Sequence, residues 1–193
     1  MLRFSIPANF VKYAEPKEEN RLRKKYFAFC ALLATLAAMG VSLFCLHTAG
    51  YRVNRSASLP GYVYRLTPLE EDEALLRGDC VAVNLSHFAN PVILQGVERG
   101  YVNLRDPMLK MVGGIPGDRV AISGNFLTVG GVPMPITVAS ADSYGGALSA
   151  WPTPLVLSPD HYWLVSDPQR GFDSRYFGPL ERFSFTHKAR IVF

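Results

Sequence analysis

The chain has 193 residues, enough for one compact domain of roughly 140 residues beside a long apolar stretch, but not for two. Its net charge of +4 owes much to a basic cluster directly before that stretch, which indicates membrane topology and lipid contact and argues against nucleic-acid binding. Three cysteines and four histidines lack the spacing of metal ligands, so no metal site is predicted.

The apolar stretch lies between Lys25 and Arg52 and contains no charged side chain. A helix over residues 26–49 is long enough to cross a hydrocarbon core of about 30 Å. A buried core helix of this length would be unusual in so small a protein. A removable signal peptide would have an apolar part of about 7–15 residues, whereas this stretch is longer and follows residues 1–25. We therefore predict an uncleaved membrane anchor.

The predicted span has more basic residues before it than after it. Arg52 and Arg55 are the nearest after the span, and four stand close before it: Arg21, Arg23, Lys24 and Lys25. The denser cluster is expected to stay in the cytoplasm. Residues 1–25 are then a cytoplasmic segment, and residues 50–193 form a domain outside.

The stretch 54-NRSASLPGYVY-64 follows the span within a few residues and carries Ser56 and Ser58. Serine and alanine are ordinary residues of a flexible linker, and the stretch alone does not exclude one.

Short segments rich in β-branched and aromatic residues continue to the end of the chain. They are residues 62–66, 80–85, 109–115, 119–123, 126–129, 162–166 and 189–193. Ser-Gly-Asn at 123–125 and Gly-Gly at 130–131 predict hairpin turns. Residues 69–76 predict a short acidic helix or a loop, and residues 87–103 allow a short helix. Residues 133–160, rich in Pro, Gly, Ser and Ala, predict a loop rather than a second core. The fold class is therefore mainly β and antiparallel.

Cysteine and histidine side chains are not predicted to carry the chemistry. Cys30 and Cys45 lie in the predicted span, so Cys80 has no partner for a disulfide within the external domain. Its alternation with Ala82 and Asn84 favours a packed strand residue over a nucleophile. No cofactor is predicted.

The stretch 108-MLKMVGGIPGDRVAIS-123 places Lys110 among apolar residues of a predicted strand. In an edge strand the lysine would face solvent. In an inner strand, burial would disfavour the ammonium and lower its pKa from about 10.4, so that the amine could act as a general base toward a hydroxyl. Alternation alone does not decide between the two.

A third stretch, 172-FDSRYFGPLER-182, holds Asp173 and Arg175 beside aromatic residues. Taken alone, it is typical of a surface turn with a weak ion pair.

The order of the three stretches resembles the type I signal peptidases, and among them most the TraF-type peptidases of conjugative transfer. Ser-x-Pro after a membrane span is followed by Lys-x-x-x-Gly-x-Pro-Gly-Asp and then by Asp-Ser-Arg-Tyr-Phe-Gly-Pro, over roughly residues 50–183. The resemblance implies a coiled, mostly antiparallel β-sheet or barrel domain. It also implies a serine endopeptidase with a Ser–Lys dyad, in which Ser58 is the nucleophile and Lys110 the general base.

Further roles follow from the same resemblance. Ser56 would donate to the oxyanion together with the backbone N–H of Ser58. Asp173, Ser174 and Arg175 would brace the site without reacting. The expected location is the bacterial inner membrane, single-pass, with the catalytic domain in the periplasm.

The resemblance also implies partners. The expected substrate is a membrane-anchored precursor, a pilin of a conjugation system, and other contacts are the lipid bilayer and components of a conjugation or type IV secretion machine. No nucleic acid is expected. Some relatives join the new pilin ends into a ring by acyl transfer to an amine, and the sequence leaves hydrolysis and cyclisation both open.

This chain departs from the family pattern in three places. Gly61 stands one place early after Pro60, and residues 166–170 replace the usual Gly-Asp-Asn. Gly171 stands where relatives carry a serine that hydrogen-bonds the catalytic lysine. A water, a backbone carbonyl or another side chain must then orient Lys110, or the activity is reduced.

Two rival functions remain open at this stage. Gly171 supports a catalytically weak assembly or scaffold component of a secretion machine. A LexA-like self-cleaving regulator shares the Ser–Lys chemistry, but the membrane span and the lack of a DNA-binding segment disfavour it.

Overall fold

The computed structural model describes residues 16–54, 59–88, 90–142, 144–166 and 171–193. The chain divides after Ala49 into two units, one before Gly50 and one from Gly50 to Phe193.

The first unit contains helix α1 (Pro16–Thr48). Its segment Asn20–Thr48 has a mean hydropathy of 2.3 in its most apolar window, and none of that window is buried. At about 1.5 Å per residue these 29 residues extend well beyond a hydrocarbon core of about 30 Å. Among the described residues, α1 is the one helix long and apolar enough to cross a membrane.

The second unit is built mainly of strands. Its described elements are β1 (Tyr51–Val53), β2 (Val63–Pro68), β3 (Cys80–Val83), α2 (Pro91–Glu98), β4 (Met108–Gly114), β5 (Arg119–Ser123), β6 (Phe126–Val129), β7 (Val132–Thr137), β8 (Leu155–Val156), β9 (His161–Val165), α3 (Ser174–Phe177), β10 (Leu180–Glu181) and β11 (Phe185–Ile191). A single 3₁₀ turn, Arg182–Ser184, precedes β11. The predicted mainly β fold class, with one apolar N-terminal helix, is confirmed.

The larger sheet has seven strands in the order β1-β2-β11-β3-β4-β9-β10, and all its pairs are antiparallel. Strand β4 is therefore an inner strand. Val81 pairs with Lys110 on one side, and Val165 pairs with Met111 on the other. This register places the middle of β4 between two neighbours whose side chains can cover it.

The smaller sheet has four strands in the order β7-β6-β5-β8. The predicted hairpin turns at 123–125 and 130–131 join β5 to β6 and β6 to β7. Gly130 and Gly131 both have positive φ, 58° and 79°, as a two-residue hairpin requires.

The prediction of a loop over residues 133–160 is wrong in part, because β7 and β8 come from it. Pro133 and Pro135 prevented the prediction of β7, because prolines within a stretch argue against a strand. A proline has no N–H for a ladder, but an edge strand tolerates it, and β7 is an edge. Ile136 and Leu157 from this stretch are buried in an apolar cluster with residues of β5, β6 and β9.

Two other apolar clusters are formed largely by residues of the larger sheet. One lies under α2 and includes Val112, Leu164 and Phe177. The other joins the start of the domain to its end through Leu59, Tyr64 and Ala189. Helix α2 falls within the stretch that allows one, whereas residues 69–76 form no helix.

Candidate active site

Lys110 lies in the middle of β4 and is only 4% exposed. Strands β3 and β9 pair with β4 on its two sides, so the edge-strand alternative is wrong. A lysine amine in such a position has lost most of its water, and loss of water disfavours the ammonium form.

Burial lowers the pKa of Lys110 from 10.5 to about 8. This value already includes the effect of the Asp173 carboxylate, which raises the pKa, and of the Arg175 guanidinium, which lowers it. Loss of water is the largest of the three effects. At pH 7 about one amine in ten is therefore unprotonated and can accept a proton, far more than for an exposed lysine.

Ser166 is the direct partner of the lysine. The Lys110 Nζ donates to the Ser166 Oγ at 2.7 Å, and Ser166 is fully buried. The contact follows from strand register: Met111 pairs with Val165, so the next antiparallel position sets Lys110 opposite Ser166, with both side chains on one face. Sequence analysis missed Ser166 because the register of strands so far apart in the chain is not visible in it.

The Asp-Ser-Arg stretch forms the start of α3, and its side chains are fully buried. The surface-turn alternative for this stretch is wrong. The Asp173 carboxylate accepts from the Arg175 Nε and Nη2, both at 2.7 Å, and from the backbone N–H of Ser166 at 2.8 Å. The Ser174 Oγ accepts from the backbone N–H of Leu164 at 2.9 Å. These bonds hold the end of β9, from which Ser166 reaches the lysine.

Arg175 links this region to the smaller sheet. Its Nη2 donates to the Gly171 carbonyl at 2.7 Å, and its Nη1 donates to the carbonyl of Thr137 at the end of β7. The buried guanidinium is thus held by a carboxylate and by two backbone carbonyls. A buried charge is tolerated when its hydrogen bonds are satisfied in this way.

Ser56 and Ser58 lie outside the described residues, and the structure therefore does not bear on their predicted roles. The chain on either side of them is tied together. Asn54 donates through Nδ2 to the carbonyls of Leu59 and Gly61, at 3.0 and 3.1 Å, and the Tyr64 hydroxyl donates to the carbonyl of Pro60.

Leu59 is buried in the cluster against which Leu109 and Met111 pack. These are the two residues on either side of Lys110. The chain next to the predicted nucleophile and the chain next to the predicted base thus share one apolar cluster.

The described residues do not support a cysteine nucleophile or a metal site. Burial raises the pKa of the Cys80 thiol to about 11, which keeps it protonated and unreactive near neutral pH. Among the described residues, no group of three or more His, Cys, Asp or Glu side chains could hold a metal ion.

Comparisons with known proteins give one family. The family model described as signal peptidase, peptidase S26, matches residues 23–193. The conjugal transfer protein TraF of Agrobacterium fabrum strain C58 is 31% identical over 167 residues, which cover 83% of this chain and 92% of that protein. A conjugal transfer protein TraF of Agrobacterium tumefaciens strain 15955 is 30% identical over 152 residues, covering 76% of this chain and 84% of that protein. A crystal structure of a signal peptidase I from Enterococcus faecalis V583 covers 58% of this chain and 94% of that chain at 20% identity, with a TM-score of 0.36, too low to carry an argument.

Proposed function

Because this chain belongs to the signal peptidase S26 family, we propose that it matures the pilin precursor of a conjugative transfer system, with Ser58 and Lys110 as its catalytic dyad. The family consists of serine peptidases that cleave signal peptides from exported precursors. Helix α1 and the family together make the chain a membrane-anchored peptidase.

The burial of Lys110 on an inner strand is the observation that carries the dyad. With a pKa of about 8, about one amine in ten is neutral at pH 7. Such an amine can take the proton of a serine hydroxyl without help from a histidine.

The reaction follows in two steps. Neutral Lys110 accepts the hydroxyl proton of Ser58 as the Oγ attacks the scissile carbonyl, and the backbone N–H of Ser58 and the hydroxyl of Ser56 donate to the oxyanion. The lysine then gives its proton to the leaving amine, and an acyl-enzyme remains. Water, activated by the same lysine, releases the signal peptide and restores the serine.

Asp173, Ser174 and Arg175 act in this proposal as bracing residues. The hydrogen bonds of Asp173 to Ser166 and of Ser174 to Leu164 support it, because both hold the backbone from which the partner of the lysine extends. Arg175 supports it through the buried ion pair with Asp173 and by holding the Gly171 carbonyl.

The proposed topology has residues 1–25 in the cytoplasm, residues 26–49 across the bacterial inner membrane, and residues 50–193 as the periplasmic peptidase domain. The basic cluster before the span supports this orientation. In this arrangement about ten residues separate the end of α1 from Ser58, a reach of at most about 35 Å. The active serine would then stand near the bilayer surface, where a membrane-anchored precursor presents its cleavage site.

The assignment to conjugation rests on relatives named conjugal transfer protein TraF. A pilin is an abundant exported precursor of such a system. A cyclic product would need a second acyl-enzyme, formed by cleavage near the pilin's own carboxyl end, because the first one carries the signal peptide; the pilin's N-terminal amine would then replace water in releasing it.

The test uses the full chain in detergent micelles and a precursor peptide with small residues before the scissile bond. Ser58→Ala and Lys110→Ala should each abolish cleavage. Ser86→Ala, at an exposed serine, and Lys188→Ala should cleave like the parent. If Ser58→Ala and Lys110→Ala cleave as fast as the parent, the dyad is wrong.

The rival function, a catalytically weak scaffold component, depended on the absence of a hydroxyl at Gly171. The Ser166 hydroxyl within hydrogen-bond distance of Lys110 removes that support.

A further inference from the structure

Ser166 and Gly171 compete for one volume beside the lysine. A Cβ added at Gly171 would stand 2.2 Å from the Ser166 Cβ and 2.6 Å from its Oγ. Both distances are far below any real carbon contact, and the atoms met belong to a fully buried side chain that hydrogen-bonds Lys110. The two positions therefore cannot both carry a side chain in this backbone.

The placement of Ser166 is determined from two sides. Its backbone N–H donates to the Asp173 carboxylate at 2.8 Å, and the register of β4 and β9 sets it opposite Lys110. Gly171 is held by the same ion pair, because its carbonyl accepts from the Arg175 Nη2. Neither residue can move away from the other without breaking a buried, charge-assisted hydrogen bond.

We propose that Ser166 is the positioning residue that orients the Lys110 amine toward the serine hydroxyl that it deprotonates, and that it does so from the space a side chain at residue 171 would fill. The hydroxyl beside the lysine can be carried at either position but not at both. The inference rests on the proposed function, because it takes Lys110 as the base.

The first test is Ser166→Ala in the full chain, with Ser184→Ala as a matched control. Ser184 is also a buried serine, but its hydroxyl donates to the Glu181 carbonyl, away from the site. Ser166→Ala keeps the Cβ and loses only the hydroxyl. We expect the cleavage rate of a fluorogenic peptide with Ala-x-Ala before the scissile bond to fall by about 10-fold or more at high pH. At high pH the lysine is neutral, but in this variant no hydroxyl orients its amine.

A role in packing alone would not move the pH profile. The Ser166 hydroxyl accepts from the lysine, and the ammonium gains more from an acceptor than the neutral amine does. We therefore expect the midpoint of the rate profile to move to lower pH in Ser166→Ala and to stay in place in Ser184→Ala. An unchanged midpoint in Ser166→Ala would overturn the proposal, whether or not the rate falls.

The second test is a double-mutant cycle at residues 166 and 171. Gly171→Ser in the parent should lower the midpoint urea concentration of unfolding strongly, because its Cβ meets Ser166. In the Ser166→Gly background, Gly171→Ser should lower the midpoint urea concentration much less. Any backbone strain at residue 171 is the same in both backgrounds and cancels in the comparison. The swapped variant, Ser166→Gly with Gly171→Ser, should recover activity relative to Ser166→Gly. The inference would be contradicted if Gly171→Ser lowered the unfolding midpoint equally in both backgrounds. It would also be contradicted if the swapped variant cleaved no faster than Ser166→Gly.

An NMR titration of Lys110 does not depend on cleavage, and it therefore tests the role of Ser166 separately from the proposed dyad. In chain labelled with ¹³C-lysine, the Lys110 resonance is identified by its absence in Lys110→Met and titrated with pH. A lower midpoint in Ser166→Ala supports the contact even if the parent fails to cleave, in which case only the proposed function is lost. If the parent cleaves and this midpoint does not move, the positioning role is lost and the dyad stands.

Discussion

Lys110, Asp173 and Arg175 bring three ionisable side chains into one buried region whose charges do not balance. Both carboxylate oxygens of Asp173 are bound by the Arg175 guanidinium, at 2.7 Å each. The carboxylate that opposes the fall of the lysine pKa is thus already paired with a second cation. Losing a proton from Lys110 leaves the region neutral, and the lysine is the group of the three that can lose one near pH 7.

The first prediction concerns stability and pH. The pKa of Lys110 is about 8 in the folded chain, whereas the ordinary lysine value of 10.5 applies to the unfolded chain. Between these values the unfolded chain holds the proton and the folded chain does not, so Lys110 makes the free energy of unfolding rise with pH across this window. Below about pH 8 the buried ammonium costs the fold up to about 3 kcal/mol. Lys110→Met should therefore be more stable than the parent at pH 7, and this advantage should shrink toward pH 10.

Urea unfolding at pH 7 and pH 10 measures this difference. Trp151 and Trp163, both in the second unit, report the transition by fluorescence in the same detergent for both chains. Groups that titrate alike in the parent and in Lys110→Met cancel in the comparison. A constant difference between the two chains at both pH values would contradict a depressed lysine pKa.

The second prediction concerns the rate of acylation. Since the base must be neutral, the single-turnover rate should rise about tenfold per pH unit well below the lysine pKa and level off above about pH 8. Rapid mixing of the full chain with a fluorogenic precursor peptide between about pH 6 and 10 gives the profile. A rate that does not change over this range would exclude Lys110 as the base.

At the scale of elements, the site depends on how strand ends are held. Strand β9 ends at Val165, and hydrogen bonds to Asp173 and Ser174 from the backbone of Ser166 and Leu164 hold that end. The segment that leads to β2 is held by Asn54 in a comparable way, because one amide side chain donates to two carbonyls beyond the predicted nucleophile.

The third prediction tests that second attachment. Asn54→Ala removes the donor to the Leu59 and Gly61 carbonyls and should loosen the chain around Ser58. We expect the cleavage rate to fall by about 10-fold or more, because a displacement of about 1 Å at a reacting group can cost 100-fold. The free energy of unfolding should fall by only about 1 to 2 kcal/mol.

The matched control is Asn103→Ala, which removes a side chain that also ties a loop, through Asp106 and Arg105, but is exposed. It should leave the rate unchanged. Equal rates in Asn54→Ala and the parent would show that the ties on this segment do not position the serine.

Elements differ in how far local sequence determines them. Strands β5 and β6 follow from their β-branched residues and the Ser-Gly-Asn turn between them, because a hairpin is a local structure. Strand β7 was missed, because two prolines are acceptable only at a sheet edge and the position in the sheet is not a local property.

The site was predictable to the same limited extent. Its residue types and their order identify Lys110 and the Asp-Ser-Arg stretch, but the burial of Lys110 depends on β3 and β9, which pair with β4 from distant parts of the chain. The partnership of Ser166 with Lys110 depends on register, and the reason for glycine at 171 depends on that partnership. Both are tertiary facts that no single stretch contains.

At the scale of the whole molecule, the second unit has apolar clusters of its own. The apolar clusters described for this protein are formed by residues from Leu59 onward, and none includes a described residue of α1. We therefore expect the peptidase domain to fold without the helix. In the proposed function, α1 holds the domain at the membrane, where the proposed precursor is also anchored.

The fourth prediction separates folding from anchoring. A chain of residues 50–193 should unfold in urea at the same midpoint as the full chain and should cleave a water-soluble precursor peptide at the same rate. In liposomes that carry a membrane-anchored precursor, it should cleave at least about 10-fold more slowly than the full chain. The reason is that confinement of both partners to one bilayer raises their effective concentration toward the millimolar range. Equal loss on both substrates would mean that α1 supports the site itself, and no loss on either would mean that anchoring gives no advantage.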